Sequence, residues 1–357
     1  MKIKTLIATL FICAMALASC TDNNKTINDN DMETLNLTTE WDKTFPKSNN
    51  VNHSKITFHN RYGITLAADL YIPKNATGMM PAIAVCGPFG AVKEQASGLY
   101  AQQLAERGFI TLAFDPSYTG ESGGKPRYVA SPDINTEDFS AAVDYLTNRE
   151  DVDSAKVGIL GICGWGGIAI QAAINDPRIK ATVASTMYDM TRVNANGYFD
   201  SENSTTQRNA KRAAMATQRT EDYLNGSYKL SGGVVDPLPD DAPQFVKDYH
   251  DYYKTPRGYH KRSLNSNGGW NVTSNLPFLN FKFFEFADEL ENAVMIVHGE
   301  NAHSYYFSKD TFALLKGNNK QMLTVKNASH CDLYDGGADR DKIPFDKIAG
   351  FYTEHLK

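Results

Sequence analysis

Cys163 stands in the run Gly161-Ile162-Cys163-Gly164-Trp165-Gly166-Gly167. An apolar stretch at 157–160 that reads as a buried strand precedes it, and a small-residue stretch from Ile168 that reads as a helix follows. A nucleophile held between strand and helix sits on a tight, strained turn. There the helix dipole favours a thiolate, and the next backbone N–H, that of Gly164, faces a developing oxyanion. The surrounding glycines remove Cβ atoms that would collide at such close packing. No Lys-Ser/Thr pair follows and no dinucleotide glycine pattern fits, so a phosphate-binding loop is set aside. A thiol nucleophile needs a base. His330, in Asn327-Ala328-Ser329-His330, leaves the end of a strand at 321–325 and is the assigned base. His303, in a loop after 293–297, is its one rival. His298 lies inside a strand, and His250, His260 and His355 lie in polar or terminal segments, where structural or solvated histidines are usual.

The elements that must position these groups alternate. Residues 55–60 and 64–72 flank Arg61-Tyr62-Gly63 and read as a hairpin. Short apolar strands follow at 82–86, 109–114, 157–160, 179–185, 293–297 and 321–325, separated by helical patterns at 97–107, 135–148, 168–174, 308–315 and from 345 onward. This order predicts an α/β fold: a mostly parallel sheet with helices on both faces and a site at the carboxyl ends of the strands. The rhythm breaks at about 190–289, a polar, Tyr- and Asn-rich stretch too long for a simple loop. It is expected to be an inserted, mostly helical cap. Tyr198, Tyr249, Tyr252, Tyr253, Tyr259 and Trp270 are its candidates for lining a pocket.

From residue 54 to the end, cap apart, the chain resembles the α/β-hydrolases, and its cysteine elbow is similar to that of dienelactone hydrolases. The resemblance rests on the elbow, on the late histidine, and on two loops, Cys86-Gly87-Pro88-Phe89-Gly90 and Asp115-Pro116-Ser117-Tyr118-Thr119-Gly120-Glu121-Ser122-Gly123. It implies a second oxyanion donor in the first of these loops. Pro88 has no N–H, which leaves Phe89. Three positions depart from the family pattern. Trp165 stands where a glycine is usual, Gly87 where dienelactone hydrolases carry a glutamate, and Ala302 where the triad carboxylate belongs. Glu300, on the same loop as Ala302, is the first choice for that acid; Asp189 and Asp332 are the alternatives.

Residues 1–19 read as a signal peptide, with Lys2 and Lys4 before an apolar run, and Leu17-Ala18-Ser19-Cys20 resembles the lipobox of bacterial lipoproteins. Cys20 would then carry lipid and anchor the protein to a membrane of the cell envelope. Residues 20–50, poor in aliphatics, would form a flexible tether to a domain at 51–357. The chain has 36 Lys+Arg against 41 Asp+Glu, a balance that argues against a nucleic-acid partner. No paired Cys or His stands at metal-ligand spacing and no cofactor motif is present, so neither metal nor cofactor is expected. The expected activity is hydrolysis of an ester, lactone or thioester on a small molecule through an acyl-cysteine. A peptidase that reads a free amino terminus with cap acids such as Glu202, Glu221 or Asp222 is the alternative, followed by a non-catalytic binding lipoprotein.

Overall fold

The computed structural model describes residues 33–357, so the expected signal peptide and Cys20 lie outside the described residues. Eight strands form one sheet in the order β1-β2-β4-β3-β5-β6-β7-β8. They are β1 (Val51–His59), β2 (Thr65–Pro73), β3 (Met80–Cys86), β4 (Ile110–Phe114), β5 (Val152–Ile162), β6 (Ile179–Ser185), β7 (Ala293–Gly299) and β8 (Lys320–Val325). The β1–β2 hairpin and the β2–β4 pair are antiparallel, and every pair from β4 to β8 is parallel. The central strands are continuous apolar runs because helices bury them on both faces. Helix α1 (Ala96–Ala105) packs with the terminal helix on one face; α2 (Pro132–Thr147) and α3 (Gly164–Asn175) cover the other. Ser131 caps α2 by accepting from the Ile134 N–H, with Pro132 in the first turn, as the start of a helix requires.

Several boundaries differ from the sequence expectation by a few residues, and two of them frame Cys163. β5 runs on to Ile162, and α3 begins at Gly164 rather than Ile168. Gly164, Gly166 and Gly167 have poor helix propensity, but tertiary packing overrides it. A Cβ on Gly167 would strike the Tyr188 carbonyl oxygen, and one on Gly161 the Trp165 carbonyl oxygen. Trp165 turns into the core between Phe114 and Phe139, with edge-to-face centroid distances of 5.8 and 5.4 Å. Gly87, at φ +100°, leaves it room, since a Cβ there would lie 2.7 Å from the Trp165 Cβ.

Residues 186–292, between β6 and β7, carry α4 (Met190–Asn196), α5 (Thr205–Asn225), α6 (Gln244–Lys254), α7 (Leu264–Asn267) and α8 (Asn275–Asn280). After β7 come α9 (Tyr305–Leu314), the short α10 (Asp332–Asp335) and α11 (Phe345–His355).

The segment at 33–50 does not hang free, so the body begins before residue 51. Phe45 is buried at 4% exposure, and Trp41 meets it edge to face at 5.7 Å while donating from Nε1 to its carbonyl oxygen. The Lys43 ammonium pairs with the fully buried Asp69. Its polar composition hid three residues that do the packing. We expect a chain starting at Val51 to be at least about 3 kcal/mol less stable than one starting at Glu33, because it loses a buried aromatic and leaves Asp69 short of a cation. Urea midpoints of the two chains check this.

Candidate active site

Three strand ends and the cap build the site. At the end of β5, Cys163 has φ +59° and ψ −126°, a conformation costly for a residue with a Cβ and held by its surroundings. Its N–H donates to the Ser185 carbonyl oxygen, and its own carbonyl accepts from the N–H groups of Gly166 and Tyr188. The next strand end is strained as well: Thr186 has φ +43°, and its N–H donates to the Val297 carbonyl oxygen at 2.7 Å. These bonds fix the elbow between β6 and the start of α3.

The Cys163 thiol opens on the cavity beside Phe89, Tyr249 and Tyr334, next to the N–H groups of Gly164 and Phe89 and the hydroxyls of the two tyrosines. Burial raises its pKa, and these four donors oppose the rise. Cys86 and Cys331 are also free and buried, and burial pushes both thiols well up. Neither touches an oxyanion donor pair. Phe89 is held in place from the cap. Asn265 Nδ2 donates to its carbonyl oxygen at 2.9 Å, and the Asn265 N–H and Ser263 hydroxyl donate to the carbonyl oxygen of Gly90. Trp270 lies over the Phe89 ring at 4.4 Å.

His330 is buried, and its two nitrogens have different neighbours. Nδ1 lies 2.6 Å from Ser304 Oγ and 2.9 Å from Thr186 Oγ1, and Nε2 lies 3.0 Å from the Tyr334 hydroxyl. Ser304 Oγ is in turn 2.9 Å from His298 Nε2, and His298 Nδ1 meets the Ser308 hydroxyl. One set of donors satisfies the whole chain. Tyr334 donates to His330 Nε2, His330 Nδ1–H to Ser304, Ser304 to His298 Nε2, and His298 Nδ1–H to Ser308. In that arrangement Nε2 is the basic nitrogen and faces Tyr334, which lines the cavity with Cys163.

None of the three candidate acids reaches His330. Glu300 is exposed and accepts from the Asn327 N–H at 3.1 Å. Asp189 caps α4, accepting from the N–H groups of Thr191 and Arg192. Asp332 accepts from the Ser329 N–H at 2.8 Å, the turn role common for aspartate. Sequence reasoning placed the acid by loop position, and the loop supplies Ser304 instead, two residues beyond Ala302. The rival base His303 bonds through Nε2 to the Tyr188 hydroxyl and stacks on Phe245 at 4.3 Å. Among the described residues, one group of three carboxylates, Glu94, Asp115 and Glu121, lies close enough to share a cation. The Lys93 ammonium already bonds to all three.

A cavity of about 220 Å³ opens on Cys163 and is lined by Phe89, Tyr188, Met190, Tyr198, Tyr249, Tyr253, Asn265 and Tyr334, among others. Of the cap aromatics singled out in the sequence, Tyr198, Tyr249 and Tyr253 line it. Trp270 instead backs Phe89, Tyr252 packs on Tyr334, and Tyr259 is exposed and bonds Asn267. Tyr334, Thr186, Ser304 and His298 were not assigned a role from sequence. The spacing of four between His330 and Tyr334 was the one available signal, because it puts both on one side of a helical turn. A larger groove, about 780 Å³, lies between residues 44–46 and 340–347 and contains neither Cys163 nor His330.

A mostly parallel eight-stranded sheet, a strained cysteine elbow and a histidine after the last strand define an α/β-hydrolase. The solved α/β hydrolase GrgF of a Penicillium species shares this fold, with a TM-score of 0.70 and 18% identity over 85% of this chain and 99% of that one. The chain belongs to the X-Pro dipeptidyl-peptidase (S15) family, which matches residues 62–332. It is 53% identical over 355 residues to the uncharacterized protein PA2218 of Pseudomonas aeruginosa, covering 96% of this chain and 92% of that one. The crystal structure of PA2218 superposes with a TM-score of 0.87, at 54% identity over 90% of this chain and 99% of that one. The uncharacterized protein YcjY of Escherichia coli is 35% identical over 295 residues, 80% of this chain and 94% of its own. A shorter match, 33% over 132 residues, covers 37% of this chain and 41% of the thiohydrolase aneE of Aspergillus aculeatus.

Burial and the neighbouring His303 bring His298 down to about 3, and burial brings His303 down to about 4. Burial, with His303 and His298, holds His330 well below its ordinary value. All three are therefore lower in the folded chain than the roughly 6.5 of an unfolded histidine. As pH falls the unfolded chain takes up these protons first. Their contribution to stability is whole above roughly pH 6.5 and is lost progressively toward pH 4. We expect the urea midpoint to drop between pH 7 and pH 5, and to drop less steeply in His298→Gln. Equal slopes in the two proteins would contradict the assignment.

Proposed function

We propose that the protein is an acyl hydrolase that cleaves an ester, lactone or thioester through a covalent intermediate on Cys163. The observation that carries this reading is the position of the Cys163 sulfur. It sits on a strained turn, in a cavity shared with Phe89, beside the backbone N–H groups of Gly164 and Phe89. A carbonyl carbon bonded to that sulfur puts its oxygen beside the same two donors. His330 acts as general base toward the thiol and then toward water. The thiolate attacks, the N–H pair holds the oxyanion, collapse expels the leaving group, and hydrolysis frees the sulfur. A thiolate leaves readily from the tetrahedral state, so ester-type bonds suit it better than peptides. The uncharged, tyrosine-rich lining favours a neutral acyl group small enough for about 220 Å³. The partial relative aneE is a thiohydrolase by name, which supports thioesters within the class.

Family membership favours a second reading, an X-Pro dipeptidyl-peptidase. Such an enzyme needs a group to hold a free amino terminus, and the lining offers no carboxylate among the described residues. Glu202 pairs with Lys211, and Asp222 accepts from Gln218 and the Lys229 N–H. These observations weigh toward the acyl substrate.

An activated aryl thioester, an aryl ester and an X-Pro arylamide, offered to the chain from residue 33, separate the readings by intact mass and product release. We expect a transient acyl adduct and turnover with the first two. Cys163→Ala should abolish both, and His330→Ala should slow acylation by about 10²–10⁴. Turnover of the arylamide alone would move the assignment to the peptidase. We further propose that Cys20 is lipidated and that residues 21–32 tether the body to a cell-envelope membrane. In the native host, Cys20→Ala should then move the protein from the membrane to the soluble fraction.

A further inference from the structure

We propose that Tyr334 is a catalytic residue that carries the proton between Cys163 and His330, an inference that rests on the acyl-cysteine reading above. No hydrogen bond joins the thiol to the imidazole among the described residues. The Tyr334 hydroxyl lies 3.0 Å from His330 Nε2 and lines the cavity beside the Cys163 sulfur. Tyr249 lines the same cavity, but its hydroxyl bonds at 2.9 Å to Tyr188, which bonds on to His303, and not to a nitrogen of His330. Tyr188 and Tyr249 also pack their rings against His330, but among the described cavity-lining side chains it is the Tyr334 hydroxyl that bonds to Nε2.

The phenol is held still. Tyr334 is fully buried on α10, with Tyr252 against its ring at 4.9 Å and Tyr253 at 6.2 Å. The helix is pinned from both ends. Tyr100 donates to the Leu333 carbonyl oxygen at 2.7 Å, and Arg257 grips the Asp335 carboxylate at 2.8 and 2.9 Å. Such a phenol gives up no position entropy when it passes a proton.

The transfer balances without a charged tyrosine. The S–H bond breaks as its proton bonds to the phenol oxygen, while the phenol's own proton bonds to His330 Nε2. The products are a thiolate, a neutral tyrosine and an imidazolium whose Nδ1–H points to Ser304. The thiolate's electron pair then forms the C–S bond, and the carbonyl π pair moves to oxygen. On collapse the leaving group takes a proton back along the same path. Burial pushes the phenol pKa well up, so a tyrosinate does not accumulate and the two protons move together.

Tyr334→Phe keeps the ring and removes the link. Its test combines ester turnover with the pH profile of Cys163 alkylation by iodoacetamide, read by intact mass. We expect kcat to fall about 10²-fold with KM within about threefold, and alkylation to start at higher pH than in wild type. Because the residue acts through His330, adding His330→Ala to Tyr334→Phe should cost little beyond the larger single loss. A kcat within about threefold of wild type together with an unchanged alkylation profile would overturn the proposal, and so would losses that multiply in the double variant. If wild-type protein forms no acyl adduct, the acyl-cysteine reading fails by that result. The alkylation arm still reports whether the thiol is coupled to His330 through Tyr334.

Discussion

A lysine ammonium buried among three carboxylates ties together the parts that converge on the site. Lys93 has no exposed surface, and its Nζ lies 2.8 Å from Glu94, 2.8 Å from Asp115 and 2.6 Å from Glu121. Burial works against its charge, but the carboxylates outweigh burial and hold the lysine protonated. Around this centre Lys55 reaches Glu121 from β1, Arg262 reaches Glu94 from the cap at 2.9 Å, and Asp42 of the leading segment receives Arg262 at 2.8 Å. Removing one member of such a buried set strands its partners' charge, typically at about 3–5 kcal/mol. Lys93 lies four residues beyond Phe89 on the loop between β3 and α1, so Phe89 inherits the rigidity of the cluster. Leading segment, sheet and cap are thereby held against one another at the place where the chemistry needs a fixed loop.

The site departs from the usual nucleophile, histidine and acid arrangement in a definite physical way. The acid's place beside Nδ1 is filled by the hydroxyls of Ser304 and Thr186, with His298 behind them. A hydroxyl fixes the orientation of the ring but supplies no negative charge to stabilise its cation. The resting pair is therefore a neutral thiol and a neutral imidazole, and charge separates only as bonds are made. Oxyanion donors already in position matter more in such a site than in one with a standing ion pair.

The turn that carries Cys163 and the histidine after the last strand could be read from sequence as local patterns, because each depends on a few adjacent residues at a strand end. The sheet was legible for the same reason, through short apolar runs with turns between them. The acid was not, since its position is a matter of which loop side chain faces Nδ1, and Glu300 and Ser304 share that loop. Tyr334 was missed because α10 is only four residues long and Cys163, which it sits beside, is far away in sequence. The leading segment was misjudged for a different reason. Average polarity describes its surface, whereas Trp41, Lys43 and Phe45 decide where it lies.

Because Asn265, Ser263 and Trp270 grip the loop that carries Phe89, the cap fixes one wall of the Cys163 cavity as well as roofing it. It cannot swing wide to admit a bulky guest without releasing the loop that, in the proposed reaction, holds the oxyanion. Entry is then a sieve, with size judged at the mouth. Evolution meets the same constraint from the other direction: on this scaffold a cap that drifts to admit a new acyl group alters turnover in the same stroke. New specificities should come from exchanges along the tyrosine walls, leaving the grip on the Phe89 loop intact.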